Sequence, residues 1–265
     1  MDPHCKGSLL ASALATIQAD RERWGGTQRT VCTEDELEAR YFIRDVLGKG
    51  SFGTVYRVIR IEDAEELAVK IIDHGISDGE RASAIDECAL WQVISSPYHP
   101  SILPLLEVIE VIGGDSLHLI TQQMLWGNLD QALRDPDVDK SEQSARLMMI
   151  QLLSAVEHLH MVHSIAHRDI KPENVLCEMS DPTIPGCLKL CDFGCCKRFE
   201  SLTDPTFDEA IGACFRHLRW RVHPHEHAHA PILTTPCCRP CRRLCAACRH
   251  CQLFVARVGD QLHLG

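Results

Sequence analysis

Three glycines set the first constraint on how this chain can fold. They fall in the stretch Gly48-x-Gly50-x-x-Gly53-x-Val55, and β-prone apolar runs lie on both sides, residues 41–47 before and residues 54–61 after. A glycine loop leading from a strand into a helix would point to a dinucleotide-binding unit. Here a strand follows, so the glycines close a hairpin and the fold begins as antiparallel sheet. Without Cβ atoms in the way, the backbone of such a loop can come close to phosphate oxygens. Taken alone, the pattern fits a plain glycine-rich turn equally well.

The rest of the chain extends this plan. Residues 67–72 read as a third strand, residues 79–95 carry apolar residues at helical spacing, and residues 102–112 and 117–124 read as strands around the turn signal Gly113-Gly114-Asp115. Residues 141–163 form the clearest helix, capped by Ser141, with Glu142 suited to the positive end of its dipole. Leu147, Ile150, Leu153 and Val156, joined by Leu152 and Leu159, make its apolar stripe. Strands with one helix followed by a helical region predict two lobes and an α+β fold.

Chemistry-bearing residues come in a fixed order. Lys70 ends the run Ala68-Val69-Lys70 on the third strand, 20 residues past Gly50, where its ammonium can reach two phosphates. It then needs an acid. Glu87 on the next helix is the first choice, with Asp86 and Glu80 as alternatives. Further on come His167-Arg168-Asp169-Ile170-Lys171-Pro172-Glu173-Asn174 and Asp192-Phe193-Gly194.

With these motifs the chain resembles the eukaryotic protein kinases, from about residue 41 to residue 211. Lys171, two residues after Asp169, is similar to the serine/threonine version of the catalytic loop. The resemblance implies a bilobal fold, an antiparallel sheet with one helix above a mainly helical lobe, and transfer of the ATP γ-phosphate to a protein Ser or Thr. It implies Asp169 as the residue that accepts or orients the hydroxyl proton and Lys171 as support for the transferring group. Asn174 and Asp192 are implied ligands of Mg²⁺, being hard oxygen donors. Gly48, Gly50, Gly53 and Lys70, the last held by Glu87, would face the phosphates. Leu47, Val55 and Ala68 would line the adenine slot, with Thr121 at its inner wall and Gln122 to Met124 as the hinge. His167, Phe193 and Trp91 are expected to be packing residues joining the lobes. A non-catalytic ATP-binding or regulatory fragment is the alternative reading.

After Gly212 the pattern stops. Ser201, Thr203 and Thr206 are candidate phosphorylation sites in an activation segment, but no Ala-Pro-Glu anchor follows. The organisation expected is therefore residues 1–40 as an N-terminal extension, 41–213 as a partial kinase domain with an incomplete helical lobe, and 214–265 as an irregular or disordered tail. With that lobe incomplete, the apolar stripe of residues 141–163 is expected to lack cover.

Charge and cysteine distribution separate the tail from the body. Residues 211–265 hold eight Arg, no Lys, seven Cys and seven His and carry +6, whereas the other 210 residues carry −16. The acidic body argues against nucleic acid as a partner. His223, His225, His227 and His229 with Cys238, Cys241, Cys245, Cys248 and Cys251 offer zinc donors, yet the first two Cys pairs stand only three residues apart, closer than zinc folds use. A splicing or reading-frame change is the first reading of this tail, ahead of adventitious or evolved zinc binding. The eight other cysteines have no regular spacing and suit a reduced, intracellular protein. Residues 9–17 are too weakly patterned for a signal peptide, and no apolar run reaches about 20 residues, so no membrane contact is expected. Oligomeric state is not legible.

Overall fold

A computed structural model of the chain describes residues 15, 17–19, 26–50, 53–72, 78–112 and 116–199. The expected turn at residues 113–115, the candidate phosphorylation sites and the whole Cys/His/Arg-rich tail lie outside them.

Six strands form one sheet: β1 (Gln28–Cys32), β2 (Tyr41–Gly50), β3 (Gly53–Arg60), β4 (Glu66–Ile72), β5 (Leu105–Val111) and β6 (Leu117–Gln122), in the order β1-β5-β6-β4-β3-β2. All neighbours are antiparallel except β1, which lies parallel to β5. The β2–β3 hairpin is the one expected around the glycines. Alternation of side chains sends successive residues to opposite faces. Val108 and Leu119 join Ala84, Cys88, Trp91 and Ile94 of helix α2 (Asp78–Ile94) on one face. Ile109 and Ile120 join Leu37 and Tyr41 on the other.

The strand β1 and helix α1 (Glu34–Arg40) fall within residues 28–40, part of the stretch read above as an N-terminal extension. They are fastened to the sheet. Thr33 and Glu36 make a reciprocal capping box that starts α1. Glu107 on β5, almost wholly buried, then takes bonds from three sides. Thr30 donates to it from β1, Tyr41 Oη donates at 2.6 Å, and Arg40 Nη2 donates to both oxygens at 2.8 and 2.9 Å. Polar residues at 28–30 hide this strand from a reading of hydrophobic alternation.

Other boundaries shift for local reasons. The run expected at 102–112 becomes a strand only from Leu105, because Pro104 has no N–H for a ladder; Ile102 makes an isolated bridge to Leu190. The strand expected to reach residue 124 ends at Gln122.

The second lobe contains α3 (Leu129–Arg134), α4 (Glu142–His163), β7 (Ile165–Ala166), β8 (Val175–Cys177), β9 (Leu188–Leu190) and β10 (Lys197–Arg198), with a 3-10 turn at Pro172–Asn174. Ser141 caps α4 as expected, its Oγ accepting from the Ser144 N–H, and Ser164 ends it in the left-handed conformation. Leu147, Ile150 and Leu153 of the expected stripe are exposed, in line with the expectation that it lacks cover, whereas its members Leu152 and Leu159 are buried with Met148 and Ala155, and Val156 is half-buried. The helix is apolar on more than one side, so spacing alone could not choose. Gln151 makes the choice: its Nε2 donates to the Pro182 carbonyl at 2.9 Å and its Oε1 accepts from the Leu188 N–H at 3.2 Å, turning that face onto β9.

Arg40→Met leaves Glu107 buried without its cation. We expect a loss of about 2–3 kcal/mol at neutral pH, read from urea unfolding. Burial pushes the Glu107 carboxyl up, but bonds from Thr30, Tyr41 and Arg40 outweigh it and hold the group below its ordinary value. The stabilisation is therefore complete above the unfolded carboxylate range and lost as pH falls through the lower folded value, so the gap between variant and wild type should close on acidification.

Candidate functional site

Lys70 lies opposite Val55 on β3 and Leu119 on β6, in the middle of the sheet. Its Nζ donates to Glu87 Oε1 at 2.8 Å and Oε2 at 3.0 Å, the two side chains being only 15% and 1% exposed. Of the acids considered, Glu87 is thus the partner; Asp86 points to solvent. One turn further along α2, Trp91 meets the Phe193 ring at 5.7 Å between centroids, and Phe193 meets His167 at 5.5 Å. Trp91 Nε1 donates to the Leu103 carbonyl at 2.8 Å. Three rings in contact therefore run from the helix that carries Glu87 to the loop that carries Asp169.

That loop is built on hydrogen bonds between near neighbours. Lys171 Nζ donates to Asp169 Oδ2 at 2.7 Å. Asn174 Nδ2 donates to the same Oδ2 and to the Asp169 carbonyl, both at 2.9 Å. Burial raises the Asp169 carboxyl, but the Lys171 bond and charge and the Asn174 bond outweigh it and hold the group below the usual carboxylate range. Lys171 is raised in turn by its bond to Asp169. With both Asn174 amide hydrogens engaged, its Oδ1 keeps its acceptor capacity. Asp192 has no hydrogen-bond or ion-pair partner among the described residues.

Two non-glycine residues here adopt left-handed backbone, Arg168 at φ 67° and Asp192 at φ 64°. Arg168 Nε donates to the Cys195 carbonyl at 2.6 Å, tying the loop to the segment after Asp-Phe-Gly. His167 Nδ1 accepts from the Asp169 N–H at 3.4 Å, and its Nε2 donates to the Cys191 carbonyl at 3.0 Å. Both ring nitrogens are committed and burial lowers the ring's pKa, so His167 is a neutral packing residue, as expected. Burial pushes the Cys191 thiol up to about 12, and this thiol also feels the charges of Asp192, Lys70 and Glu87.

A sequence profile of the protein kinase domain matches residues 41–213. The chain belongs to the protein kinase family. Among relatives, it is 39% identical over 163 residues to a probable myosin light chain kinase of Dictyostelium discoideum, covering 60% of this chain and 31% of that protein. It is 32% identical over 171 residues to calcium/calmodulin-dependent protein kinase type I of Schizosaccharomyces pombe, covering 64% and 49%. The chain thus spans between about a third and a half of the length of these two kinases. The solved structure of titin kinase and its flanking domains matches the fold with a TM-score of 0.55 at 21% identity, over 65% of this chain and 30% of that one.

In this kinase domain the three glycines are not equivalent. A Cβ on Gly53 would stand 2.1 Å from the Ile71 carbonyl oxygen, so this glycine serves the packing of β3 on β4. A Cβ on Gly48 would meet nothing within 4 Å, which leaves open space above β2. Gly50 pairs with Gly53 at the hairpin end. Leu47 is exposed, Val55 half-buried and Ala68 buried. Ala68 lies opposite Thr121, whose Oγ1 donates to the Gln122 carbonyl at 3.2 Å, and Met124 packs partly against the core.

Sequence reasoning missed the support of this hinge. Gln122 Nε2 donates to Glu178 Oε1 at 2.8 Å. Glu178 Oε2 faces Lys189 Nζ at 3.5 Å, and Lys189, 1% exposed, also donates to the Pro100 carbonyl at 3.1 Å. A lysine inside the apolar run Leu188-Lys189-Leu190 was the available signal. Gly53→Ala should cost about 1–3 kcal/mol in urea unfolding because β3 must move off β4, whereas Gly48→Ala should stay within about 0.5 kcal/mol of wild type.

Proposed function

We propose that the chain transfers the γ-phosphoryl group of ATP to a serine or threonine hydroxyl of a protein substrate. The observation that carries this reading is the closed Lys70–Glu87 pair, joined through the rings of Trp91, Phe193 and His167 to the loop in which Lys171 and Asn174 bond Asp169, with the Asp192 carboxylate unpartnered among the described residues. Phosphoryl transfer asks a protein mainly for alignment and charge stabilisation, and these residues supply both.

The donor set fits a hard divalent cation: Asn174 Oδ1 and the Asp192 carboxylate are oxygen ligands of the kind Mg²⁺ takes. When bound there, Mg²⁺ would neutralise phosphate charge. The open space at Gly48 fits a phosphate-covering hairpin. Lys70, oriented by Glu87, would hold phosphate oxygens. Leu47, Val55 and Ala68 would line the adenine slot, and the backbone of Gln122 to Met124 would hydrogen-bond the base. Asp169 stays ionised at neutral pH because of its bonds to Lys171 and Asn174. It would orient the acceptor hydroxyl and receive its proton as the oxygen–phosphorus bond forms. Lys171 would steady the transferring group from the other side.

The environment is read as intracellular and reducing, supported by seven free cysteines among the described residues. No helix of the described residues is long and apolar enough to cross a membrane.

The test is phosphate transfer to a generic basic protein, alongside calorimetry of magnesium–ATP binding. Asp169→Asn should lower kcat by a factor of about 10²–10⁴ and leave nucleotide affinity within about threefold. Asp192→Ala should abolish both transfer and the magnesium dependence of binding. Transfer unchanged in Asp192→Ala would overturn the assignment. Magnesium-dependent binding without transfer in the wild-type chain would select the non-catalytic reading instead.

A further inference from the structure

The last turns of α4 carry imidazoles that the phosphotransfer site does not use. His158 Nε2 and His163 Nε2 are hydrogen-bonded to each other at 3.3 Å, with ring centroids 5.0 Å apart and ring planes at 70°. The His99 ring, from the loop ahead of β5, stacks against His158 at 4.8 Å. His99 is already committed, however. Its Nδ1 accepts from the Ser101 N–H at 3.2 Å, so its proton sits on Nε2, which donates to Ser154 Oγ at 3.1 Å.

We propose that His158 and His163 chelate one first-row divalent transition-metal ion, with water completing its shell. Two imidazole nitrogens on a single tetrahedral ion, at bond lengths of about 2.0–2.1 Å, stand about 3.3–3.4 Å apart. The two Nε2 atoms already hold that separation. In the neutral pair one Nε2–H donates to the other Nε2, so an ion held by both would take the place of that proton, which moves to the Nδ1 of its own ring. Imidazole donors suit zinc, copper and nickel rather than magnesium or calcium.

An open cavity of about 300 Å³ lies alongside, lined by His99, Ser154, Glu157, His158, Met161 and Val162, and gives solvent a path to His158. Among the described residues no group of three or more His, Cys, Asp or Glu is arranged to share an ion. The site is therefore an exchangeable two-imidazole chelate, not a closed structural centre. Its position gives it leverage. The His163 carbonyl accepts from Arg198 Nη1 at 3.4 Å, and the adjacent Ser164 carbonyl accepts from the Phe199 N–H at 3.0 Å. An ion at His163 would stiffen the helix end against which the segment after Asp-Phe-Gly is held. This inference does not depend on the phosphotransfer reading.

The seven cysteines and seven histidines of residues 211–265 would also take up metal, so the test must resolve single residues. Zinc alone is added to the full chain labelled with nitrogen-15 in histidine, and long-range proton–nitrogen correlation spectra are recorded. The two resonance sets are identified by their loss in His158→Asn and His163→Asn. We expect the Nε2 signals of both residues to move with one shared midpoint. In His158→Asn, the zinc response of His163 should weaken by about a hundredfold, because the second ligand acts through effective concentration. Separate midpoints, no movement of either signal in large zinc excess, or an undiminished His163 response in His158→Asn would each overturn the proposal. If His158→Asn loses its native amide dispersion, the midpoints in the unsubstituted chain decide in the same sense.

Discussion

The Lys70–Glu87 ion pair is the constraint on which the arrangement of the site depends. Removing two charges from water costs several kcal/mol for each ion, and only close geometry with further hydrogen bonds returns it. Glu87 is almost completely dry, and Lys70 meets both of its oxygens. Separating the pair would strand a buried carboxylate, so α2 is held against the sheet in one position. Trp91 lies one turn beyond Glu87, and its ring bears on Phe193, which bears on His167. A displacement of α2 would therefore be felt as a loss of packing beside Asp169. The sheet, the helix and the loop form one mechanical unit because a costly electrostatic contact and an apolar ring stack share a helix.

The loop itself is held by backbone geometry that a sequence pattern does not display. Arg168 and Asp192 both sit in the left-handed region, which is unfavourable for residues with a Cβ and persists only where the surroundings over-determine it. Here the surroundings do so through carbonyl groups. His167 reaches the Cys191 carbonyl and Arg168 reaches the Cys195 carbonyl, so each side of Asp-Phe-Gly is fastened to His-Arg-Asp. Asn174 closes the loop on Asp169. These bonds fix where the acidic oxygens lie before any substrate arrives, which is the form of preorganisation that phosphoryl transfer uses.

Much of this was legible in the residues because the chemistry is local in sequence. The glycine hairpin, the Lys70 strand, the helix carrying Glu87 and the spacing of Asp169, Lys171 and Asn174 each occupy short windows whose pattern states their geometry. What was not legible depended on contacts between distant segments. Gln151 selects the buried face of α4 by reaching Pro182 and Leu188, more than thirty residues away. Lys189 supports the hinge through Glu178, although its own strand is apolar. Gly53 reads as part of a phosphate loop, yet its backbone neighbour Ile71 already forbids a side chain there. Periodicity reports that a surface is apolar; which partner it meets is decided by polar groups that must be satisfied.

The segment at residues 28–40 follows the same logic. A carboxylate at Glu107 on a sheet face lined by Ile109, Ile120 and Val69 would be a defect if that face were left as the strands alone make it. Thr30, Arg40 and Tyr41 convert the defect into a fastening point. Burial raises the pKa of the Tyr41 phenol strongly, with the bond to Glu107 reinforcing it, so Tyr41 remains a donor at any physiological pH. The apolar contacts of Cys32, Leu37 and Tyr41 then cover the same face. The acid needs its donors, and one of them, Thr30, comes from a strand too polar to be drawn in by hydrophobic burial alone. The folded lobe therefore includes β1 and α1, ahead of the first residue that the protein kinase profile matches.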